Sequence, residues 1–76
     1  MYNQEPEKVI AQLARKIAQL RKKRNLTQEK LAELIDVGRE HLSKVETNKR
    51  RFSIEKLVII ANVLEVQVRD LFTFDD

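Results

Sequence analysis

The chain has 76 residues, no cysteine, 42% hydrophobic and 36% charged side chains, and a formal net charge of +3. A chain this short is one domain that buries only about 60% of its unfolded surface, and it has no disulfide or thiolate metal site to staple it. One Gly and one Pro in the whole sequence leave little turn chemistry for hairpins, and no apolar run approaches the ~20 residues of a membrane span.

The first predicted element is a helix over 7–24. Val9, Ile10, Leu13, Ile17 and Leu20 recur at spacings of three and four, with Ala14 and Ala18 between them. Pro6 suits the first helical turn, and Glu5 and Glu7 suit the positive end of the helix dipole, while Arg21 to Arg24 suit the negative end. Asn25 tolerates the left-handed conformation that stops a helix. Thr27 is the N-cap of a second, short helix that ends near Ile35, with Leu31, Ala32, Leu34 and Ile35 on its apolar face. Asp36-Val37-Gly38 make a tight turn, and a third helix follows from about Arg39 to Glu46, with Leu42 and Val45 facing inward. Thr47-Asn48 breaks it ahead of the basic loop Lys49-Arg50-Arg51. Ser53 caps a fourth helix running to about Leu64, with Ile54, Leu57, Val58, Ile60, Ala61 and Leu64 as a broad core stripe. A last short helix, about Gln67 to Phe72, offers Val68, Leu71 and Phe72. The expectation is an all-α domain of five short helices over 13–72, with 1–12 extending the first helix and an acidic tail over 73–76.

The charge is lopsided. Residues 15–51 carry 12 Lys/Arg against 5 Asp/Glu, whereas residues 52–76 sum to −3 and end on Asp75 and Asp76. A basic surface of this kind suits a polyanion, most often nucleic acid, although charge alone equally describes a solvated helical face. The basic segment also holds two short helices joined by a three- or four-residue turn, over about 27–46. That is a helix-turn-helix pattern, in which the second helix enters a DNA major groove.

The resemblance goes further than the pattern. Leu20-Arg21, Thr27-Gln28-Glu29-Lys30-Leu31-Ala32, Val37, Leu42-Ser43-Lys44-Val45-Glu46, Ser53-Ile54-Glu55-Lys56-Leu57, Ile60-Ala61, Leu64-Glu65-Val66 and Asp70-Leu71-Phe72 stand in one register. In that register the chain resembles the lambda-repressor/Cro-like (xenobiotic-response-element) helix-turn-helix family of transcriptional regulators. Members of that family usually carry Gly where this chain has Asn25, Asp36, Asn48 and Glu65. The first three are the non-Gly types that best tolerate positive φ, and Glu65 is the poorer substitute. Gly38 stands where the family usually caps its recognition helix with Ser or Thr, and Gly is still an acceptable cap.

The resemblance implies base contacts at Arg39, Glu40 and Lys44. The chemistry agrees, since Arg and Lys donate to guanine and Glu accepts from cytosine; the plainer reading is a Glu40–Lys44 helix pair worth ~0.3 kcal/mol. Gln28, at a helix N-terminus, is implied as a phosphate ligand. Ser43, Thr47, Asn48, Lys49, Arg50 and Arg51 are implied as backbone contacts, with Arg51 reaching toward the minor groove. Arg21 and Glu46 are implied as a structural pair that ties the first helix to the end of the recognition helix. On a helical wheel, Ile59 and Val63 fall opposite the stripe of the fourth helix, and with Val66 and Val68 they form an expected homodimer interface, although single exposed aliphatics are common.

His41 is the only His, and without a second His or Cys it reads as a partly exposed surface residue rather than a metal ligand. No triad, Gly-rich phosphate loop or paired-carboxylate arrangement is visible, so no enzyme, cofactor, metal or small-molecule effector is expected. The polar stretch Met1–Pro6 does not read as a signal peptide. The expectation is a cytoplasmic, prokaryotic or phage-encoded regulator that reads a pseudo-palindromic operator in double-stranded DNA as a homodimer. The competing reading is an antitoxin-like interaction module that binds DNA only with a partner protein. A role in RNA binding lacks an aromatic stacking platform.

Overall fold

Each helix starts where the sequence offers a reason to start. In the computed structural model, which describes residues 1–74, Pro6 occupies the first helical position of α1 (Pro6–Lys23). Thr27 caps α2 (Gln28–Leu34) by accepting from the Lys30 amide at 3.0 Å. Gly38 precedes α3 (Arg39–Glu46) without a side-chain cap. Ser53 caps α4 (Ile54–Val63) by accepting from the Lys56 amide at 3.1 Å. Four α-helices are followed by a single 3-10 helix, Val68–Phe72. The last element is thus not the fifth α-helix expected from the sequence. Five residues are too few to repay an α-nucleus, and the tighter i→i+3 turn closes them instead, with Asp70 accepting from the Gln67 amide at 2.9 Å. Among the described residues there is no strand. Asp75 and Asp76, the end of the expected acidic tail, lie outside the described residues.

The core is one cluster. Ile17 of α1, Leu31 and Ala32 of α2, Leu42 of α3, and Leu57, Ile60 and Ala61 of α4 are buried together with Ile35, Leu64 and Leu71. Leu13, Leu20, Leu26, Val37 and Phe52 pack on its rim. Several residues of the expected apolar faces lie outside it. Ile54 is 70% exposed, Val58 and Leu34 are also exposed, and Phe72 is 41% exposed. The reason is the number of layers: the four helices enclose one small core, and no element covers the outer side of α4 or the last turn of α2, whatever their side chains. Lys56 instead turns inward and donates from Nζ to the carbonyl of Ile35 at 2.8 Å, satisfying the C-terminal end of α2.

The four interhelical turns are closed in the left-handed region. Asn25, Asp36, Asn48 and Glu65 have φ of 58°, 60°, 63° and 58°. Each follows a helix C-cap, and the next residue's amide reaches back into the helix: Leu26 to Arg21 O, Val37 to Ala32 O, Lys49 to Lys44 O and Val66 to Ala61 O, at 3.1, 2.9, 2.7 and 3.0 Å. These are the bonds of a glycine-type helix stop, made here without a glycine. Asn and Asp bear positive φ with modest strain, but Glu does not share that tolerance. Glu65→Gly should therefore be more stable than Glu65→Ala by ~1 kcal/mol. Both variants lose the Glu65 carboxylate, so the difference between their urea midpoints isolates the backbone term; equal midpoints would contradict it.

Candidate nucleic-acid interface

The orientation of α3 is set from beneath by a buried ion pair. Arg21 is 7% exposed and is the buried charged residue of the core. Its Nε and Nη2 donate to the two carboxylate oxygens of Glu46 at 2.7 and 3.1 Å, and its Nη1 donates to the carbonyl of Leu26 at 2.7 Å. Gln28, the first residue of α2, donates from Nε2 to Glu46 Oε1 at 3.0 Å. One carboxylate at the end of α3 is thus held by α1 and by the start of α2. The fork of Arg matches two carboxylate oxygens at once, so this pair fixes a direction as well as a distance.

Above that anchor, α3 buries Leu42 and Val45 and turns its other side outward. Arg39, Glu40, Lys44 and Thr47 are exposed, while Ser43 is half-buried. Lys44 Nζ lies 3.9 Å from Glu40 Oε1, a loose i,i+4 pair in which Glu40 remains almost fully exposed. Thr47 turns its hydroxyl back to the Ser43 and Lys44 carbonyls at 2.9 and 3.3 Å. Asn48, Lys49, Arg50 and Arg51 are exposed on the loop that follows. Arg51 is not free: its Nη2 donates to Glu7 on the first turn of α1 at 2.9 and 3.1 Å. Gln28 keeps a second amide N–H beyond the one given to Glu46. The expected contact residues therefore lie along α3, at the start of α2 and on the loop after α3.

His41 is half-buried, in keeping with a partly exposed residue. Its ring centroid lies 4.9 Å from that of Phe52, and its Nε2 finds no hydrogen-bond partner among the described residues. It steadies the loop against α3. Val63, Val66 and Val68, expected on a dimer face, pack instead against the chain's own core, since the chain beyond α4 folds back over that side. Ile59 is 36% exposed and shares the open side of α4 with Ile54 and Val58. A wheel of α4 alone does not include the segment beyond Leu64, which packs on the same core as Val63. Among the described residues no cluster of His, Cys, Asp or Glu is placed to hold a metal ion, and no helix is long and apolar enough to cross a membrane.

Two short helices locked at their shared end, with the second helix presenting a polar, basic ridge, define a helix-turn-helix domain. A helix-turn-helix family model matches residues 17–71, and the chain belongs to that family, of the Cro/C1 type. It is 35% identical over 66 residues to an HTH-type transcriptional regulator of Rickettsia conorii, covering 87% of this chain and 53% of the relative. The chain therefore spans about half the length of that relative. Among solved structures it is similar to the restriction-modification controller protein C.AhdI from Aeromonas hydrophila, with a TM-score of 0.78, 28% identity and coverage of 86% of this chain and 97% of that one. It is also similar to SinR, a master regulator for biofilm formation solved in complex with DNA, with a TM-score of 0.74, 32% identity and coverage of 80% and 98%.

The Arg21–Glu46 pair yields a direct test. Arg21→Ala leaves the Glu46 carboxylate buried without its cation and should cost ~3–5 kcal/mol, whereas the double variant Arg21→Met, Glu46→Leu should recover most of that loss. Chemical denaturation of the two variants decides it, and equal destabilisation by both would show that the pair is not the anchor.

Proposed function

We propose that this protein is a transcriptional regulator that reads a pseudo-palindromic operator in double-stranded DNA as a homodimer, with no enzymatic activity of its own. The observation that carries the reading is the outer face of α3. Arg39, Glu40 and Lys44 stand free of the core on the helix that a helix-turn-helix inserts into the major groove, and the buried Arg21–Glu46 pair sets its angle. Arg39 and Lys44 offer donors for guanine O6 and N7, and Glu40 offers an acceptor for cytosine N4. The second amide N–H of Gln28, the hydroxyl of Ser43, that of Thr47 once it turns away from the Ser43 carbonyl, and Asn48, Lys49, Arg50 and Arg51 supply phosphate or minor-groove contacts that set register. The likeness to SinR, which was solved with DNA, supports the ligand class. The likeness to C.AhdI supports a small controller as the type of regulator.

Dimerisation follows from reach and from surface. One eight-residue recognition helix contacts too few base pairs to select a site in a genome, and two copies on a two-fold axis would read half-sites roughly 34 Å apart. Ile54, Val58 and Ile59 leave apolar side chains exposed on the open side of α4. We place the dimer contact there, with the outer edges of Val63, Val66 and Val68 at its rim.

Selection of bound sites from random duplex DNA tests the reading as a whole; recovery of a site with two-fold symmetry is the expected outcome. On that site, Lys44→Ala should cost ~1–3 kcal/mol and relax specificity at one position, while Arg50→Ala should weaken all sequences nearly equally and reduce the salt slope by about one unit. Equal loss on every sequence for Lys44→Ala would make it a phosphate contact. Val58→Asp with Ile59→Asp should give a folded monomer with much weaker operator binding. A chain that sediments as a monomer at tens of micromolar, and as one copy on its best site, would refute the dimer.

A further inference from the structure

We propose that Glu7 is an intramolecular competitor for DNA phosphate at Arg51, and so sets how tightly the loop after α3 holds DNA. The inference rests on the DNA-binding reading above and concerns a residue outside the 17–71 segment matched by the family model. Arg51 Nη2 lies 2.9 Å from Glu7 Oε1 and 3.1 Å from Oε2, so one guanidinium nitrogen bridges two anionic oxygens as it would bridge two oxygens of a phosphate. The two residues are 44 positions apart in sequence, so the pair is not a by-product of helical spacing. It exists because the first turns of α1 reach over the loop: Ile10 and Leu13 of α1 share a small cleft with Asn48, Arg51 and Phe52.

The carboxylate is placed for this task. Pro6 fixes the first turn of α1, and the neighbouring acid, Glu5, is engaged by Lys8 at 3.3 Å. Glu7 is therefore the first-turn carboxylate directed at the loop. Both side chains of the Arg51 pair are largely exposed, 59% and 77%, so water and a phosphate can reach the guanidinium. An exposed pair is weak enough to be exchanged yet not free. DNA must replace Glu7 at Arg51, and the displaced carboxylate then stands near the phosphate backbone. Both effects oppose binding, and neither depends on base sequence.

Removing the carboxylate while keeping its shape isolates the effect. The full chain carrying Glu7→Gln should bind DNA about two- to five-fold more tightly at low salt, the range that an exposed ion pair accounts for. The gain should be equal on the selected site and on random duplex, and it should shrink as salt is raised. In an Arg51→Ala background the same Glu7→Gln change should produce little or no gain. Fluorescence anisotropy titrations of the four proteins against labelled duplexes give these values, and thermal melts followed by circular dichroism establish that each is folded. Unchanged or weaker binding by Glu7→Gln would overturn the proposal, since Glu7 would then be inert or would be positioning Arg51 for DNA. A full gain persisting without Arg51 would overturn it too, because the effect would be general repulsion of the duplex. Failure of the unmodified chain to bind any duplex is a different result: it removes the DNA-binding reading itself, and this inference with it.

Discussion

The structure hangs on the carboxylate of Glu46. It terminates α3, and its three hydrogen bonds all come from elsewhere in the chain: from the Nε and Nη2 of Arg21 on α1 and the Nε2 of Gln28 on α2. A buried, forked ion pair adds little net stability over a well-packed apolar substitute, because both charges lose their hydration. What it supplies is direction. Apolar packing of Leu42 and Val45 is non-directional, whereas a two-point bond to a planar guanidinium fixes an angle. A recognition helix must present its side chains at a fixed angle, so the demand for orientation explains why a charge pair sits in so small a core.

That anchor also couples the two parts of the proposed DNA-binding surface. Gln28 belongs both to the buried network and to the exposed start of α2, and Arg21 holds the Leu26 carbonyl that leads into α2. The start of α2 and the end of α3 are therefore one rigid unit rather than two helices that happen to be neighbours. The turns that close the helices contribute the same stiffness. Each positive-φ residue directs the next amide back into the preceding helix, so every connection is fixed by a backbone bond as well as by side-chain packing.

Much of this was legible in the sequence. The cap residues Thr27 and Ser53, the inward face of α3 and the turns at Asn25, Asp36 and Asn48 obey local rules, and local rules are visible in a single chain; Glu65 breaks them, and its turn was legible only through the family resemblance. What was not legible depends on layers and on distant neighbours. Periodicity identifies Ile54 and Val58 as apolar positions on a helix but cannot say that nothing covers them. It sets Val63 opposite Leu57 but does not know that the chain beyond Leu64 folds back to meet it. The hold of Glu7 on Arg51 spans 44 positions and carries no periodic signal at all. The contact of the half-buried His41 imidazole with Phe52 carries no such signal either: the loop that delivers Phe52 has no pattern of its own.

The distribution of bound and free charge sharpens the electrostatic argument beyond net charge. The basic excess of residues 15–51 overstates what is available to a polyanion. Arg21 is committed to Glu46 in the interior, Arg24 is paired with Glu65 and Lys30 with Glu33 at the surface, and Arg51 is held by Glu7. Lys44 leans toward Glu40 only loosely, at 3.9 Å. Arg39, Lys49 and Arg50 form no ion pair among the described residues. Unpaired cations thus sit at the leading end of α3 and in the loop beyond its trailing end, with the loosely paired one between them, and a second set unpaired among the described residues, Arg15, Lys16, Lys22 and Lys23, lies on α1. What sets the α3 side apart is therefore not the possession of all the free charge but its place: there the free cations flank an outward-facing helix, so attraction to a polyanion and a protruding helix coincide.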